Sequence, residues 1–557
     1  MVRRVAVVGA GSSGLVCIKC CLDEGLEPVC FESSDDIGGL WRFRENPEPG
    51  RSSTYRSLVV NTSKEMMCFS DFPMPAHFPS YMHNSQLLQY LRLYAAHFDL
   101  LRHIRFQTTV LSVKQRPDFS SSGQWEIVTE SRDGHREQQI FDAVLVCSGQ
   151  YTSPVTPLKD FPGFETFRGQ YCHSWEYKDP EPYQGKKVVV VGIGNSGGDI
   201  AVEISRAAKQ TLLSTRQGTW VMGRTSSRGL PMDMSVITRP VALLTAVLPR
   251  HLLSWVIERS LNQKYDHQLY GLMPRHRIMD HRPLINDELP VRILTGLLVM
   301  KPNIREFQGS TVVFEDGTTE EQVDAVVFCT GYNYAFPFLP SSIFPGPGHE
   351  LTLYKHVFPP WIECPTLAIL GLFQVIGSMM PAVEMQARWV ARVITGFIQL
   401  PPKEKMLKDI EKERKRFIKG HPCPRVAALQ LDYVPYLDDL AGQLGVRPKL
   451  LRLLLRDPRL GLSVLLGPCT PYQYRLYGPG QWAGARQAIL TQWERVAQPM
   501  KTRAVPELPS SRLPLLLALS GAALVVAAVC ARNNLQDLLA SPSNWRMYVP
   551  KLFLHMV

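Results

Sequence analysis

Two short stretches, 183 residues apart, limit what this chain can fold into more than any other feature. Residues 5–8 are apolar and lead into Gly9-Ala10-Gly11-Ser12-Ser13-Gly14; residues 188–191 are apolar and lead into Gly192-Ile193-Gly194-Asn195-Ser196-Gly197, followed by Gly198. Each fits G-x-G-x-x-G behind an apolar strand. The first glycine makes a tight turn, the second admits a pyrophosphate close to the backbone, and the third lets helix pack on strand. The helix N-terminus then offers free N–H groups and the positive end of its dipole. One such pattern alone is weak, because glycines also mark ordinary turns. Here a second pair of motifs repeats at nearly the same offset. Asp142-Ala143-Val144-Leu145-Val146-Cys147-Ser148-Gly149 returns almost unchanged as Asp324-Ala325-Val326-Val327-Phe328-Cys329-Thr330-Gly331, 182 residues on. Two motif pairs at one spacing predict an α/β protein with two related, Rossmann-like dinucleotide-binding units. Two adjacent dinucleotides suggest electron transfer between them.

The units differ where a dinucleotide's ribose is read. An apolar strand over 27–31 ends at Glu32, 23 residues past Gly9, where a Rossmann unit places a carboxylate for the ribose hydroxyls. The same count from Gly192 reaches Thr215, followed by Arg216. A carboxylate there would repel a 2′-phosphate, whereas an arginine pairs with it bidentately. The first site therefore suits an adenosine with free ribose hydroxyls, such as that of FAD, and the second suits NADPH.

At 557 residues the chain has room for two or three domains. Its 61 Lys and Arg against 50 Asp and Glu give a net charge of +11, which favours anionic partners. The most lysine-rich run, residues 403–419, alternates in sign and reads as a solvated helix face; with no nucleic-acid module beside it, no nucleic-acid partner is expected. The twelve cysteines show no spaced framework, and the chain enters a strand directly with no signal peptide ahead of it, so reduced thiols are expected. Cys17 and Cys20 form a C-x-x-C on the helix after the first turn, where packing against a sheet is the simpler role. No second Cys/His pair at ligand spacing appears, so no metal is expected.

Residues 223–294 interrupt the second unit with apolar stretches and interspersed arginines, which predicts a helical insertion. That stretch and residues 449–466, where leucines mix with arginines, suit either a core or an interfacial surface. Residues 513–531 carry no charge over 19 positions and lie between Arg512 and Arg532, a length that predicts a bilayer-spanning helix after a Pro-rich linker. Flanking charges do not orient it. Asn61 heads a formal N-x-S/T sequon, but the cluster Asn61-Thr62-Ser63 before an apolar run reads as a turn or helix cap.

Between the two units, residues 167–178 read FRGQYCHSWEYK. This resembles the F-x-G-x-x-x-H-x-x-x-[YFW] fingerprint of class B flavoprotein monooxygenases, and Tyr177-Lys178 is similar to its flavin-containing monooxygenase branch. Phe328-Cys329-Thr330-Gly331-Tyr332 resembles that branch's F-A-T-G-Y motif with Cys in place of Ala. Blocks at 36–41, 61–73 and 467–482 look similar too, so the resemblance covers about residues 2–500 and points to the vertebrate microsomal type.

The resemblance implies that NADPH reduces FAD, that NADP⁺ stays bound, and that oxygen adds to give a C4a-hydroperoxide. That species would oxygenate soft nitrogen or sulfur nucleophiles of small lipophilic molecules. Ketone oxygenation of Baeyer–Villiger type, or largely uncoupled NADPH oxidation, are the alternatives. The resemblance also implies catalytic roles for Asn61 beside the flavin and Asn195 in the nucleotide loop. FAD would be held by Gly9, Ala10, Gly11, Ser12, Ser13, Gly14, Glu32, Leu40 and Trp41. NADPH would be held by Val60, Asn61, Thr62, Gly192, Gly194, Asn195, Ser196, Gly197, Gly198, Thr215 and Arg216. An FAD domain over 1–154 and 331–445, an NADPH domain over 155–330, a membrane-proximal region over 446–511, an anchor over 513–531 and a tail over 532–557 follow. The expected location is the endoplasmic reticulum membrane, with catalytic domains facing the cytosol and lipid as a partner; homo-oligomerisation is compatible with this reading. Two rivals are a disulfide reductase, which needs a cysteine pair beside the flavin, and a membrane flavoprotein without turnover.

Overall fold

The two apolar repeats form the centres of two parallel sheets. In this computed structural model residues 3–344, 346, 351–418 and 428–503 are described. The strands that build the sheets are β1 (Arg4–Val8), β2 (Glu27–Phe31), β3 (Ile104–Arg105), β4 (Ala143–Val146), β5 (Gln170–His173), β6 (Lys187–Val191), β7 (Gln210–Ser214), β8 (Leu298–Lys301), β9 (Ala325–Phe328) and β10 (Leu367–Ile369). The first sheet has the order β10-β4-β1-β2-β3 and the second β8-β7-β6-β9-β5, and every pairing within them is parallel.

Parallel sheets bury both faces, which is why these strands read as continuous apolar runs rather than alternating ones. Val5–Val8 are all buried, and so are residues 188–191. Each central strand leaves through a glycine turn into a helix: α1 (Ser12–Asp23) after β1, and α2 (Asn195–Ile204) after β6. In each half a separate three-stranded antiparallel meander precedes one strand of the parallel sheet, β4 in the first and β9 in the second. In the first it spans Thr108–Gln115, Trp125–Ser131 and Arg136–Phe141; in the second, Ile304–Gln308, Thr311–Phe314 and Thr319–Glu320. The repeat seen in the sequence is thus a repeat of architecture. The fifth strand breaks it: β10 follows in the chain, whereas β5 comes before β6.

The chain passes between the units twice, and the crossings lie side by side. Residues Ser153–Pro154 pair antiparallel with Tyr332–Asn333, and Val155 N donates to Gly331 O at 3.0 Å. The fingerprint segment closes this junction. His173 ends β5, its Nδ1 accepts from Trp175 N at 3.1 Å, and its Nε2 lies 3.1 Å from Gly331 O. Because Nδ1 accepts, the network assigns the proton to Nε2, which donates to the carbonyl. Burial lowers the pKa of this imidazole, in keeping with a neutral ring. Trp175 Nε1 donates to Arg51 O at 2.7 Å, and Lys178 Nζ donates to Ser53 Oγ and Thr54 O, so the same segment grips the first unit.

Two helices, α3 (Arg239–Val247) and α4 (Arg250–Lys264), lie within the interruption of the second unit. Its two ends are joined by a short parallel pair, Val221–Met222 with Leu284–Ile285. Helix α5 (Met379–Ile394) packs along α1 and is buried over most of its length. Residues 446–496 share that core: Val446, Leu453, Val464, Tyr472, Ile489 and Val496 pack in one cluster with Leu15 of α1 and Trp389 of α5. Helix α6 (Pro458–Leu466) and the preceding helix Leu450–Arg456 turn their other faces outward, leaving Leu451 80% and Leu455 85% exposed.

These elements belong to one compact unit, residues Met1–Met500. Among the described residues no helix is long and apolar enough to cross a membrane. The anchor expected at 513–531 and the tail at 532–557 lie outside the described residues.

Candidate active site

The two glycine turns have the same construction. Gly9 and Gly192 have φ of 99° and 105°, a region that L side chains avoid. A Cβ on Gly14 would sit 1.8 Å from Gly9 O, and one on Gly197 would sit 1.9 Å from Gly192 O. The third glycine of each motif is therefore fixed by helix-on-turn packing. The middle glycines behave differently. Gly194 has nothing within 4 Å of a Cβ position, and Gly11 meets only the backbone of Gly39 at 3.7 Å or beyond. Neither α1 nor α2 has a side-chain N-cap, so their first N–H groups face outward without a partner from the cap residue. Both turns fit a pyrophosphate: open at the middle glycine, with uncapped helix ends.

Strand ends place the discriminating residues. Gly9 N donates to Phe31 O and Gly192 N to Ser214 O, each at 2.9 Å, so Glu32 and Thr215–Arg216 emerge beside equivalent turns. Glu32 is buried; its Oε2 accepts from Ala10 N at 2.7 Å, its Oε1 from Ser34 Oγ at 2.7 Å, and Arg51 lies 3.2 Å away. Arg216 is exposed and has no hydrogen-bonded or ionic partner among the described residues. Leu40 and Trp41 lie in the short helix Gly39–Trp41, where Gly38 N donates to Ala10 O at 3.1 Å and draws that helix over the first turn. Gly198 is spoken for by the fold: its N–H donates to Gly194 O, and a Cβ would lie 2.7 Å from Leu284 Cδ1.

Asn61 and Asn195 are not hydrogen-bonded to each other; both are met by the insertion. Val60 is buried with its N donating to Met82 O, and Asn61 and Thr62 follow half-buried. Arg224 Nη2 donates to Asn61 Oδ1 at 2.7 Å, and Arg224 Nη1 lies 3.1 Å from Asp287 Oδ2. From the other side, Asp233 Oδ2 accepts from Ser63 N at 2.7 Å and Ser63 Oγ at 2.9 Å. At the far end of the insertion, Ile285 N donates to Asn195 Oδ1 at 3.0 Å. Next in line, Asn286 Nδ2 donates to Asp199 Oδ1 at 2.7 Å, and Tyr55 OH donates to Asp199 Oδ2 at 2.6 Å. Burial raises the carboxyl pKa of both Asp199 and Asp233.

Two donors in this cluster are left over. Among the described residues Arg224 Nε is buried without a partner, and Asn61 Nδ2 makes no hydrogen bond. With Oδ1 held by a guanidinium, the amide presents N–H, which suits an acceptor-bearing ring such as a flavin or nicotinamide. Sequence reasoning missed Arg224, Asp233 and Asp287. No motif marks them, and their one local hint is Gly223, where a Cβ would meet Asp287 Oδ1 at 2.6 Å.

The C-x-x-C residues are buried free thiols packed in the core. Cys17 Sγ faces Cys147 Sγ at 3.5 Å, both Cys17 and Cys20 are free and fully enclosed, and burial raises both thiol pKa values well above normal.

Two open glycine turns after parallel strands, an acid beside one and an arginine beside the other, fit a protein of the class that binds two dinucleotides. Comparison with known proteins gives the particular group. The model of the flavin-binding monooxygenase-like family matches residues 2–533. Flavin-containing monooxygenase 5 of Rattus norvegicus is 52% identical over 503 residues, 90% of this chain and 94% of that one. Dimethylaniline monooxygenase [N-oxide-forming] 2 of Mus musculus is 51% identical over 528 residues, 95% and 98% of the two chains. Among solved structures, S-allyl-L-cysteine S-oxygenase from Allium sativum superposes with a TM-score of 0.60 at 25% identity, covering 89% of this chain and 99% of its own. Cyclohexanone monooxygenase from Rhodococcus sp. Phi1 bound to NADP⁺ shares the fold, with a TM-score of 0.57 at 18% identity over 79% of this chain and 97% of its own. The chain belongs to the flavin-containing monooxygenase family and is an FAD- and NADPH-dependent monooxygenase.

Proposed function

We propose that the enzyme transfers one oxygen atom to soft nitrogen or sulfur centres of small lipophilic molecules, with Asn61 at the reacting end of the flavin. Bound FAD, reduced by NADPH, supplies the chemistry that activates oxygen. The chain's own contribution is to bind, orient and keep protons away. The observation that carries this reading is the Arg224–Asn61 hydrogen bond. It turns a neutral amide outward and holds its oxygen with a guanidinium fork, so Asn61 donates a hydrogen bond without delivering a proton. Exclusion of water and stray protons is what such chemistry requires of its site. The names of the relatives, N-oxide-forming for one and S-oxygenase for another, support nitrogen and sulfur as the targets.

In this reading the Gly9 turn, Glu32, Leu40 and Trp41 hold FAD, within residues 1–154 and 331–445. The Gly192 turn, Asn195, Thr215 and Arg216 hold NADPH, within residues 155–330. Val60, Asn61 and Thr62 lie where the two cofactors meet. Purified, FAD-loaded protein is expected to oxidise NADPH, to give an absorbance transient between reduced and oxidised flavin when oxygen is admitted, and to form N-oxide or S-oxide from a tertiary amine or thioether. Hydrogen peroxide accounting for all the NADPH consumed, whatever the substrate, would overturn it; lactone or ester from a ketone would move the assignment to the Baeyer–Villiger type.

Attachment to the endoplasmic reticulum membrane, with the catalytic unit on the cytosolic side, belongs to the same proposal. It rests on the uncharged run 513–531 and on the exposed leucines of Leu450–Arg456 and α6, where Arg452, Arg456 and Arg459 are interleaved. Full-length protein should stay in the membrane pellet after alkaline carbonate extraction; release into the supernatant would overturn the spanning assignment.

A further inference from the structure

Beyond β7 the chain makes a tight turn that rests on the insertion. Gly218 N donates to Thr215 Oγ1 at 3.1 Å, and Gly218 has φ of 71°. A Cβ on Gly218 would lie 2.5 Å from Leu272 O and 2.7 Å from Met273 O, so turn and insertion are in direct backbone contact. Two hydrogen bonds tie them: Thr219 N to Leu272 O at 2.9 Å and Arg275 N to Gln217 O at 3.2 Å. Arg275 is thereby joined through its backbone to Gln217, the residue after Arg216.

What sets these two arginines apart is that neither guanidinium has a partner among the described residues. Their basic neighbours do. Arg277 lies 3.0 Å from Glu258, Arg206 2.6 Å from Glu288 and Lys301 2.9 Å from Glu320. The first unit offers the contrast, since Arg51 beside its glycine turn is matched by Glu32 at 3.2 Å. Arg216 on the turn and Arg275, whose backbone is hydrogen-bonded to that turn, are two unmatched cations at one place in the fold, which suits a doubly charged anion. A 2′-phosphate carries close to two negative charges at neutral pH and three acceptor oxygens, more than one arginine fork can satisfy.

We propose that Arg275, supplied by the insertion, is a second arm on the 2′-phosphate of NADPH and shares with Arg216 the discrimination against NADH. This rests on the assignment of the Gly192 turn to NADPH. On this view the insertion contributes to coenzyme choice as well as to the setting of Asn61.

The test uses full-length, FAD-loaded protein and two probes, 2′,5′-ADP and 5′-AMP, with affinities measured by calorimetry. Arg275→Ala is expected to weaken 2′,5′-ADP roughly tenfold or more while leaving 5′-AMP unchanged, and Arg275→Lys to recover part of the loss. The ratio of kcat/KM for NADPH over NADH should fall by a similar factor. Unchanged 2′,5′-ADP affinity in Arg275→Ala, with a clear loss in Arg216→Ala, overturns the role of Arg275 alone. Equal losses for both probes in Arg275→Ala also overturn it, because they mark a disturbed turn rather than a lost phosphate contact. Unchanged affinity in both variants overturns the NADPH assignment of the turn together with the proposal.

Discussion

Arg224 Nη2 donates a 2.7 Å hydrogen bond to Asn61 Oδ1, joining residues 163 positions apart. The insertion thereby touches the amide that the family resemblance marks for oxygenation. A hydrogen bond to a charged group is worth about 1.5–3 kcal/mol, enough to decide which way a small amide faces.

For Arg224→Met the expected result is a flavin that still binds and is still reduced by NADPH, with product per NADPH down roughly tenfold and hydrogen peroxide up. Asn61→Ser should behave similarly, keeping flavin and losing product. A product-to-NADPH ratio equal to that of the parent enzyme in Arg224→Met would remove the guanidinium from the mechanism.

Gly14→Ala and Gly197→Ala separate the two sites. Both put a methyl group within 2 Å of a backbone oxygen, where no rotamer change gives relief. Gly14→Ala should purify without FAD. Gly197→Ala should retain FAD, with flavin bleaching by NADPH slowed by at least an order of magnitude. Normal NADPH-driven bleaching in Gly197→Ala would place the nicotinamide cofactor elsewhere.

Asp233 holds the other side of the same loop through Ser63. Asp233→Ala leaves Ser63 N without its acceptor in a buried setting, a loss of about 1–3 kcal/mol. Thermal unfolding should shift down and coupling should fall with it. A shift in melting temperature with coupling intact would confine Asp233 to stability.

His173 gives a pH dependence of known sign. Burial lowers its folded-state pKa below the ordinary 6.5, so the unfolded chain binds more protons in the window just below 6.5. Stability contributed by this group is complete above that window and is lost as pH falls through it. His173→Asn keeps an acceptor for Trp175 N–H but does not titrate there. Its denaturant midpoint should therefore fall less between pH 7.5 and 5.5 than that of the parent. Parallel curves for the two proteins would show that His173 is not the group responsible.

Much of the fold was legible because it is local. A glycine turn between an apolar strand and a helix is written in consecutive residues, since φ near 100° and a missing Cβ are demands on single positions. The strand ends that carry Glu32 and Arg216 follow from the same counting, and the spacing of 183 residues reappears as two sheets of matching order. The fingerprint was recognisable as a pattern but not as a device. Only the folded chain shows His173 bonded to Gly331 where the two crossings meet.

What the sequence by itself determined is the pair of glycine turns after apolar strands and the differing residues, Glu32 and Thr215–Arg216, that emerge beside them. Tertiary structure alone decided who touches Asn61 and Asn195, that Arg275 is backbone-bonded to the turn after Arg216, and that residues 446–496 complete the core against α1 and α5. The physical reason is range. Backbone turns and apolar periodicity are set by neighbours in the chain, whereas a hydrogen bond from Arg224 to Asn61 depends on how two distant segments pack, and nothing in the residues next to either one encodes the other.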